Sequence, residues 1–338
     1  MAGFNVHSES DRAKLLKSLG MSSVEELFAN IPDSVRMKRP LQVPGPLSEW
    51  EAKKFFVSAA TKNISTEQML SFLGGGAYQH HVPAVIDAIC SRGEFLTAYT
   101  PYQPEMSQGL LQALFEYQSL VSRLTGLPTV NSSLYDGSTA LAEGAWMACS
   151  AQKNRVIAAA RSLLPQYRDV LSTYMKGRGV EIHWIDEDPQ TGRVDAKSLE
   201  AALGHKPSCV VIQAPNRWGV IEDIESIASK THAAGALLNT AWYPMLFPIL
   251  KSPADLGVDI LSCEGQPLGI PLASGGPYLG ILATHKKYEG FIPGRLVGRL
   301  TDLRGQNAFA LIKEEREQHV SRDEATSHIC SNQALQAI

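Results

Sequence analysis

From residue 107 onward the apolar positions follow two alternating periods. Over 107–125, Leu110, Leu111, Leu114, Val121 and Leu124 recur at helical spacing, with Ser107 as candidate N-cap and Gly126 where a left-handed residue closes a helix. A second helix is expected from Ser138, after the Asp136-Gly137 turn, through Ala140, Ala142 and Ala145 to about Ala151. Short apolar runs then appear at 156–160, 180–185, 209–213, 236–240 and 259–263, separated by helical patterns near 166–176, 195–203, 222–234 and 249–256. Nearly all-apolar strands alternating with helices predict a mostly parallel sheet covered on both faces. Between Cys263 and Tyr278 the segment EGQPLGIPLASGGP holds three prolines and four glycines, which excludes a crossover helix. The last strand, Tyr278 to Ala283, is therefore expected to be antiparallel. Residues 1–60 read differently, as a helical arm whose short helices are joined at Pro32, Pro40, Pro44 and Pro46.

Composition removes several classes of function. With 31 basic against 34 acidic side chains, the formal charge of −3 lacks the Lys/Arg excess of a nucleic-acid binder. Five cysteines, Cys90, Cys149, Cys209, Cys263 and Cys330, lie more than fifty positions apart, so no zinc or redox pair is spelled out and a reducing compartment is expected. The N-terminus has no apolar core and carries Glu9 and Asp11, against a signal or transit peptide. The most apolar stretch, 235–250, is interrupted by Asn239, Pro244 and Pro248, too soon for a bilayer span. No membrane segment is expected, and a cytoplasmic location.

Six strands in this order fit a dinucleotide fold or the large domain of a pyridoxal-phosphate enzyme. The dinucleotide reading needs a G-x-G-x-x-G turn after the first strand. Gly74-Gly75-Gly76 is the only dense glycine run, and the following AYQHHVP offers neither a third spaced glycine nor a clean helix start. His80 and His81 are adjacent and point to different faces, a poor metal pair. Glu314 and Glu315 sit in a charged run, KEEREQH, that reads as a solvated face. One stretch stands out chemically. AYTPYQPEMSQG (98–109) packs two tyrosines, two prolines, a carboxylate and two amides ahead of a helix, which describes either a rigid polar site wall or a turn whose tyrosines pack under neighbouring helices.

AYTPYQPEMSQGLLQALFEYQSLVSRLTGL, NSSLYDGSTALAE, EGQPLGIPLASGGPYLG, PGRLVGR and EREQHVSRDEATSHICSNQAL resemble the glycine decarboxylase P-proteins of the glycine cleavage system. The likeness is to subunit 1 of the two-subunit form. It implies an α/β fold of the fold-type I pyridoxal-phosphate transferase class, an N-terminal helical arm (1–60), a large domain (61–310) and the start of a small C-terminal domain (311–338), largely missing. It also implies a heterotetramer of two subunit 1 and two subunit 2 chains, acting with the lipoylated H-protein. In that system glycine condenses with pyridoxal phosphate, CO2 leaves, and the aminomethyl group passes to the lipoyl disulfide.

The resemblance also says what to look for. A Schiff-base lysine is expected near the end of the strand at 259–263 and an acidic partner for the pyridinium near the end of the strand at 236–240. Alignment of Gly275-Gly276-Pro277 with the cofactor-binding subunit places Pro267, preceded by Gln266, where the lysine belongs. LLNTAWYP offers Asn239, Thr240, Ala241 and Trp242 but no carboxylate. Lys286 and Lys287 follow the next strand and are expected to be exposed. Asp136, Gly137, Ser138 and Thr139 match the phosphate loop in part, although Asp136 sets a negative charge beside the amides. Arg295 and Arg299 suit an interface, a carboxylate or surface ion pairs. Two departures are Tyr243, where subunit 1 chains carry an aspartate, and SRDEATSH, with Asp323, Glu324 and His328 in place of a more basic run. The expectation is a chain with no catalytic lysine and no bound cofactor, pyridoxal phosphate being held by subunit 2. Tyr99, Thr100, Tyr102, Gln103, Glu105, Ser107 and Gln108 are then the candidates to approach the partner's substrate or the lipoyl arm. A self-sufficient pyridoxal-phosphate lyase or transferase, and a non-catalytic scaffold of the same fold, are the alternatives.

Overall fold

The computed structural model describes residues 6–66, 68–96, 101–313, 320, 321, 325 and 332–338. Tyr99, Thr100, Glu314, Glu315, Asp323, Glu324 and His328 lie outside the described residues. The chain divides into two units, Met1–Met69 and Leu70–Ile338. In the first, α1 (Glu9–Ser18) and α2 (Glu49–Ala60) flank a 3-10 turn at Val24–Phe28. Both helices start on a capping box: Ser8 and Ser48 accept from the N–H of Asp11 and Glu51, whose carboxylates accept in return from the serine N–H. Neither helix has a buried residue, so capping rather than a core sets their boundaries.

The second unit runs through α3 (Ala84–Cys90), α4 (Gly93–Leu96), α5 (Gln108–Thr125), β1 (Thr129–Val130), α6 (Gly137–Gln152), β2 (Val156–Ala160), α7 (Pro165–Gly177), β3 (Glu181–Ile185), α8 (Ala196–Leu203), β4 (Cys209–Ala214), α9 (Ile224–Ala233), β5 (Leu237–Trp242), β6 (Ile260–Glu264), β7 (Gly280–Thr284), β8 (Leu296–Thr301), β9 (Asn307–Lys313) and α10 (Asn332–Ala337). Seven strands form one sheet in the order β1-β7-β6-β5-β4-β2-β3. β2 to β6 are parallel, and β7 lies antiparallel to β6, as the proline-rich connection requires. Two-residue β1 extends the sheet antiparallel to β7.

The strands are apolar throughout because both faces are covered. Along β2, Ile157 and Ala159 face one core with Ala145, Met147, Leu171 and Met175 of α6 and α7, while Ala158 and Ala160 face the other with Leu111, Leu114, Leu199 and Ile227 of α5, α8 and α9. This is the period-two alternation of a strand buried on both sides. The helix expected near 249–256 does not form. A 3-10 turn at Pro244–Leu246 and turns over 253–257 carry the chain from β5 to β6. The Asp255 N–H is taken by Ser252 Oγ, and Gly257 at φ 82° ends the stretch before a helix can extend.

The sequence pattern also missed a hairpin. β8 and β9 pair only with each other, and two-stranded ribbons need outside support. Helix α5 supplies it with two glutamines. Gln108 donates to Phe309 O at 2.8 Å and accepts from Phe309 N–H at 2.9 Å; Gln118 does the same with Val297, at 3.0 Å in each direction. Each side-chain amide replaces one residue of a missing neighbour strand. Gln118→Ala leaves the N–H and C=O of the buried Val297 without these partners and is expected to lower unfolding stability by about 2 kcal/mol. Denaturant curves that superimpose on those of the wild type would refute this account of the clamp.

Candidate functional site

The C-terminal ends of parallel strands leave backbone and side chains facing a crevice, the usual ligand position in open α/β sheets. Here that crevice holds a cavity of about 490 Å3 lined by Gln213 from β4, Ala241 and Trp242 from β5, Glu264 from β6, Tyr167 from α7 and Arg217 from the loop after β4. A second cavity of about 330 Å3 adjoins it and shares Gly75, Gly76, Tyr167 and Glu264. Between them passes the strap Gly74–Gly76, all three residues at positive φ, tied down by the Gln166 amide donating to Gly75 O. A Cβ on Gly76 would stand 2.8 Å from the Leu164 Cδ1 methyl, which could shift, but its φ of 92° favours glycine.

The polar groups of the cleft are largely engaged with one another. Arg217 pairs with Glu187 and lies 4.4 Å over the Trp218 ring, whose Nε1 donates to the same carboxylate at 3.0 Å. Asn216 is buried, donating to Gly192 O and Glu222 Oε1, each at 2.8 Å. Tyr243 bonds His80 Nε2 and meets Tyr78 edge-on at 5.6 Å; burial, then Tyr78, pushes its phenol up to about 12. Tyr243 thus closes one wall of the cleft with an aromatic–imidazole contact.

Glu264 ends β6 and is 7% exposed. Its Oε2 accepts from Gly137 N–H at 3.0 Å, and its Oε1 from Gln266 N–H at 3.0 Å and Leu279 N–H at 3.3 Å. Burial pushes its carboxyl up to about 7, against the pull of these three amides. Asp136 caps α6, its Oδ1 accepting from Ser138 N–H at 2.8 Å and Thr139 N–H at 2.9 Å. The Tyr167 hydroxyl is held neutral, first by burial and then by Glu264. Among the described residues, no lysine lines either cavity.

Pro267 lies elsewhere, in an apolar cavity of about 420 Å3 with Ile86, Leu268 and Leu335. The end of β6 turns Glu264, not Pro267, into the cleft. Its sequence signal was a lone acidic residue closing an apolar strand. Lys286 and Lys287 are exposed, and Lys286 pairs with Glu289. Asn239, where an acid was sought, is fully buried and donates to Leu141 O at 3.0 Å, pinning α6 to β5. Of the described loop candidates, Tyr102, Gln103, Glu105, Ser107 and Gln108, none lines the cleft. The Ser107 hydroxyl makes no cap bond, Gln108 serves the hairpin, and Tyr102 is half exposed with its ring 5.8 Å from Arg295 Cζ. Arg295 is buried, whereas Arg299 is exposed. The structure gathers the loop candidates beside α5 and the hairpin, away from the strand ends.

A mostly parallel sheet closed by antiparallel strands, with a cleft at the strand ends beside a helix N-terminus, defines the fold-type I class of pyridoxal-phosphate-dependent enzymes. A sequence model described as "Glycine cleavage system P-protein" matches residues 4–338, and the chain belongs to that family. Similar curated proteins include the probable glycine dehydrogenase (decarboxylating) subunit 1 of Desulforamulus reducens, 46% identical over 99% of this chain and 75% of that one. Its counterpart in Desulfitobacterium hafniense is 47% identical over 96% of this chain and 72% of that one. Among solved structures, a glycine decarboxylase (P-protein) of the glycine cleavage system in inhibitor-bound form superposes with a TM-score of 0.85 at 37% identity, covering 99% of this chain and 75% of that one.

The residues of this cleft do not fit pyridoxal phosphate. The amine that would hold its aldehyde is lacking, the end of β6 carries a carboxyl, and the amides that would face its phosphate already have acceptors. Among the described residues no cluster of three His, Cys, Asp or Glu can hold a metal either, and no helix is long and apolar enough to cross a membrane. The raised carboxyl of Glu264 has a consequence for folding. Above about pH 4.5 the unfolded chain releases this proton while the native state keeps it until about 7, so native stability falls across that window. Relative to Glu264→Gln, the wild type is expected to lose about 3 kcal/mol between pH 4.5 and 8. Parallel stability–pH curves for the two proteins would show that Glu264 is not held protonated.

Proposed function

We propose that the chain is subunit 1 of a two-subunit glycine dehydrogenase (decarboxylating) of the glycine cleavage system, supporting decarboxylation without holding the cofactor itself. The observation that carries this is the lining of the cleft at the strand ends, where no described lysine stands and the end of β6 brings in the buried carboxyl of Glu264. The similar curated proteins are named as subunit 1, which fits a partner chain that supplies what this cleft lacks. In this reading subunit 2 carries the lysine and the pyridoxal phosphate, whose chemistry is to act as electron sink for the glycine carbanion. Two copies of each subunit form a cytoplasmic heterotetramer, and the lipoylated H-protein accepts the aminomethyl group.

What this chain contributes is surface and positioning. The loop from Tyr102 to Gln108 is stiffened by the 3-10 turn Pro104–Met106 and anchored through Gln108 to β9. It presents Tyr102 and Glu105 outward, and Arg295 sits beneath the Tyr102 ring, where cation and aromatic face attract. Fixed in this way, its side chains are ordered before a partner arrives and lose little entropy on docking.

Two measurements check the proposal. This chain incubated alone with pyridoxal phosphate and then borohydride is expected to retain no cofactor, whereas subunit 2 is expected to be labelled on one lysine; a label on this chain would favour the self-sufficient alternative. With the purified subunits mixed, Tyr102→Ala is expected to reduce glycine–CO2 exchange about tenfold, the loss of one interface anchor, with the circular dichroism unchanged. Full exchange activity in that variant would make the loop a mere connection.

A further inference from the structure

A segment opens locally when it buries few side chains and spends few backbone hydrogen bonds inside the fold. Residues 70–82, which cross the mouth of the cleft, meet both conditions. None of them is buried, and Leu70, Phe72 and Leu73 are 82, 92 and 95% exposed. Apart from the turn at Gly75 and Gly76, their backbone makes no hydrogen bond to the backbone of any described residue. Side chains hold the segment instead: the Gln166 amide donates to Gly75 O, His80 Nε2 meets the Tyr243 hydroxyl, and Tyr78 stands edge-on to the same phenol at 5.6 Å. In the middle lie Gly74, Gly75 and Gly76, at φ 70°, 90° and 92°. A Cβ on Gly74 or Gly75 would meet nothing within 4 Å, so at these two positions glycine serves the backbone conformation and not the packing.

We infer that the strap 70–82 is a gate over the cleft, latched by Gln166 at Gly75 and by the pair of His80 and Tyr243, with the three glycines absorbing the backbone change when it opens. Hinges of this kind are a few residues that take up a large change in φ and ψ while the elements around them stay rigid. The two cavities share Gly75, Gly76, Tyr167 and Glu264, so withdrawing the strap joins them into one cleft. Neither the sheet nor α7 has to move for this, because Gln166 and Tyr243 are held by their own elements, α7 and the end of β5. Access to Tyr167 and Glu264 is then set by the two latches. The inference stands on this geometry alone and is independent of which subunit carries pyridoxal phosphate.

The test uses the full chain with Ala241→Cys as reporter, since Ala241 lines the larger cavity and is 2% exposed. Alkylation by iodoacetamide is followed at each cysteine by mass spectrometry, and every rate is divided by that of the same cysteine in the urea-unfolded chain. Cys209, buried at the start of β4, reports global unfolding. Position 241 is expected to react at least tenfold faster than Cys209 on this scale. Gln166→Ala and Tyr243→Phe, which each remove one latch, are expected to speed position 241 about fivefold, the loss of one hydrogen bond from the closed state, and to leave Cys209 unchanged. Gln213→Cys, on the same wall, is the reporter if Ala241→Cys does not fold. Equal rates at the reporter and at Cys209 overturn the gate, because the cleft then opens only with the whole fold. So does a reporter rate that neither latch variant moves. Neither result bears on the borohydride labelling of subunit 2, so failure of one proposal is distinguishable from failure of the other.

Discussion

The first turn of α6 opens beside the cleft with the N–H of Gly137 buried and those of Ser138 and Thr139 part-buried, and all three have acceptors. An orphaned buried donor costs about 1–3 kcal/mol, so the Gly137 amide in particular depends on its partner. Asp136 and Glu264 supply the acceptors. The same carboxyl groups then set the rest of the site: Glu264 joins the end of β6 to the start of α6 and, through Leu279, to the strand that returns antiparallel. Tyr167 closes over Gly137, which has to be glycine because nothing larger fits beneath the phenol. One electrostatic requirement therefore fixes the junction of two strands and two helices.

Much of the fold was legible in the sequence because burial on both faces leaves a clear mark. Runs such as VIAAA and CVVIQA have no exposed side to carry polar residues, so they announce β2 and β4 without any periodicity. The antiparallel β7 followed from prolines and glycines that forbid a crossover helix. What was not legible depends on contacts distant in sequence. The hairpin β8–β9 was concealed because PGRLVGR and the residues after it contain glycine and arginine, which read as chemistry, and because its support comes from Gln108 and Gln118 some two hundred residues earlier. The stretch at 249–256 had helical spacing, but local side-chain bonding at Ser252 and the glycine at 257 competed with the helix and won.

The candidate site was legible by what it lacked rather than by what fills it. The search for a lysine and an acid found neither, and it did not anticipate that Glu264 from the end of β6 and Tyr167 from α7 line the cleft. Asp136 was read as opposing an anion at the helix, and the geometry sharpens that into direct occupation of two amides. Glu264 escaped notice because its role requires knowing that the end of β6 meets the first turn of α6, a contact between residues 127 positions apart. The loop at 101–108 shows the converse error of emphasis. Its amides suggested substrate contact, yet Gln108 is consumed in completing the edge of a strand.

The two carboxyl groups at the start of α6 do for its amides what a bound anion does at other helix N-termini. A phosphate group is more than cargo in such a fold, since it satisfies donors that the backbone itself cannot satisfy. Exchanging a lysine for a neutral residue would remove the covalent attachment but leave the donors of α6 bare, with the associated cost in stability. Placing a carboxyl at the end of β6 and another at the helix cap removes that cost, and it also joins three backbone segments, the start of α6, Gln266 and Leu279, around the floor of the cleft. The sheet and its neighbouring helices thereby keep a frame held by their own hydrogen bonds, with the loop and hairpin anchored at its side through Gln108 and Gln118.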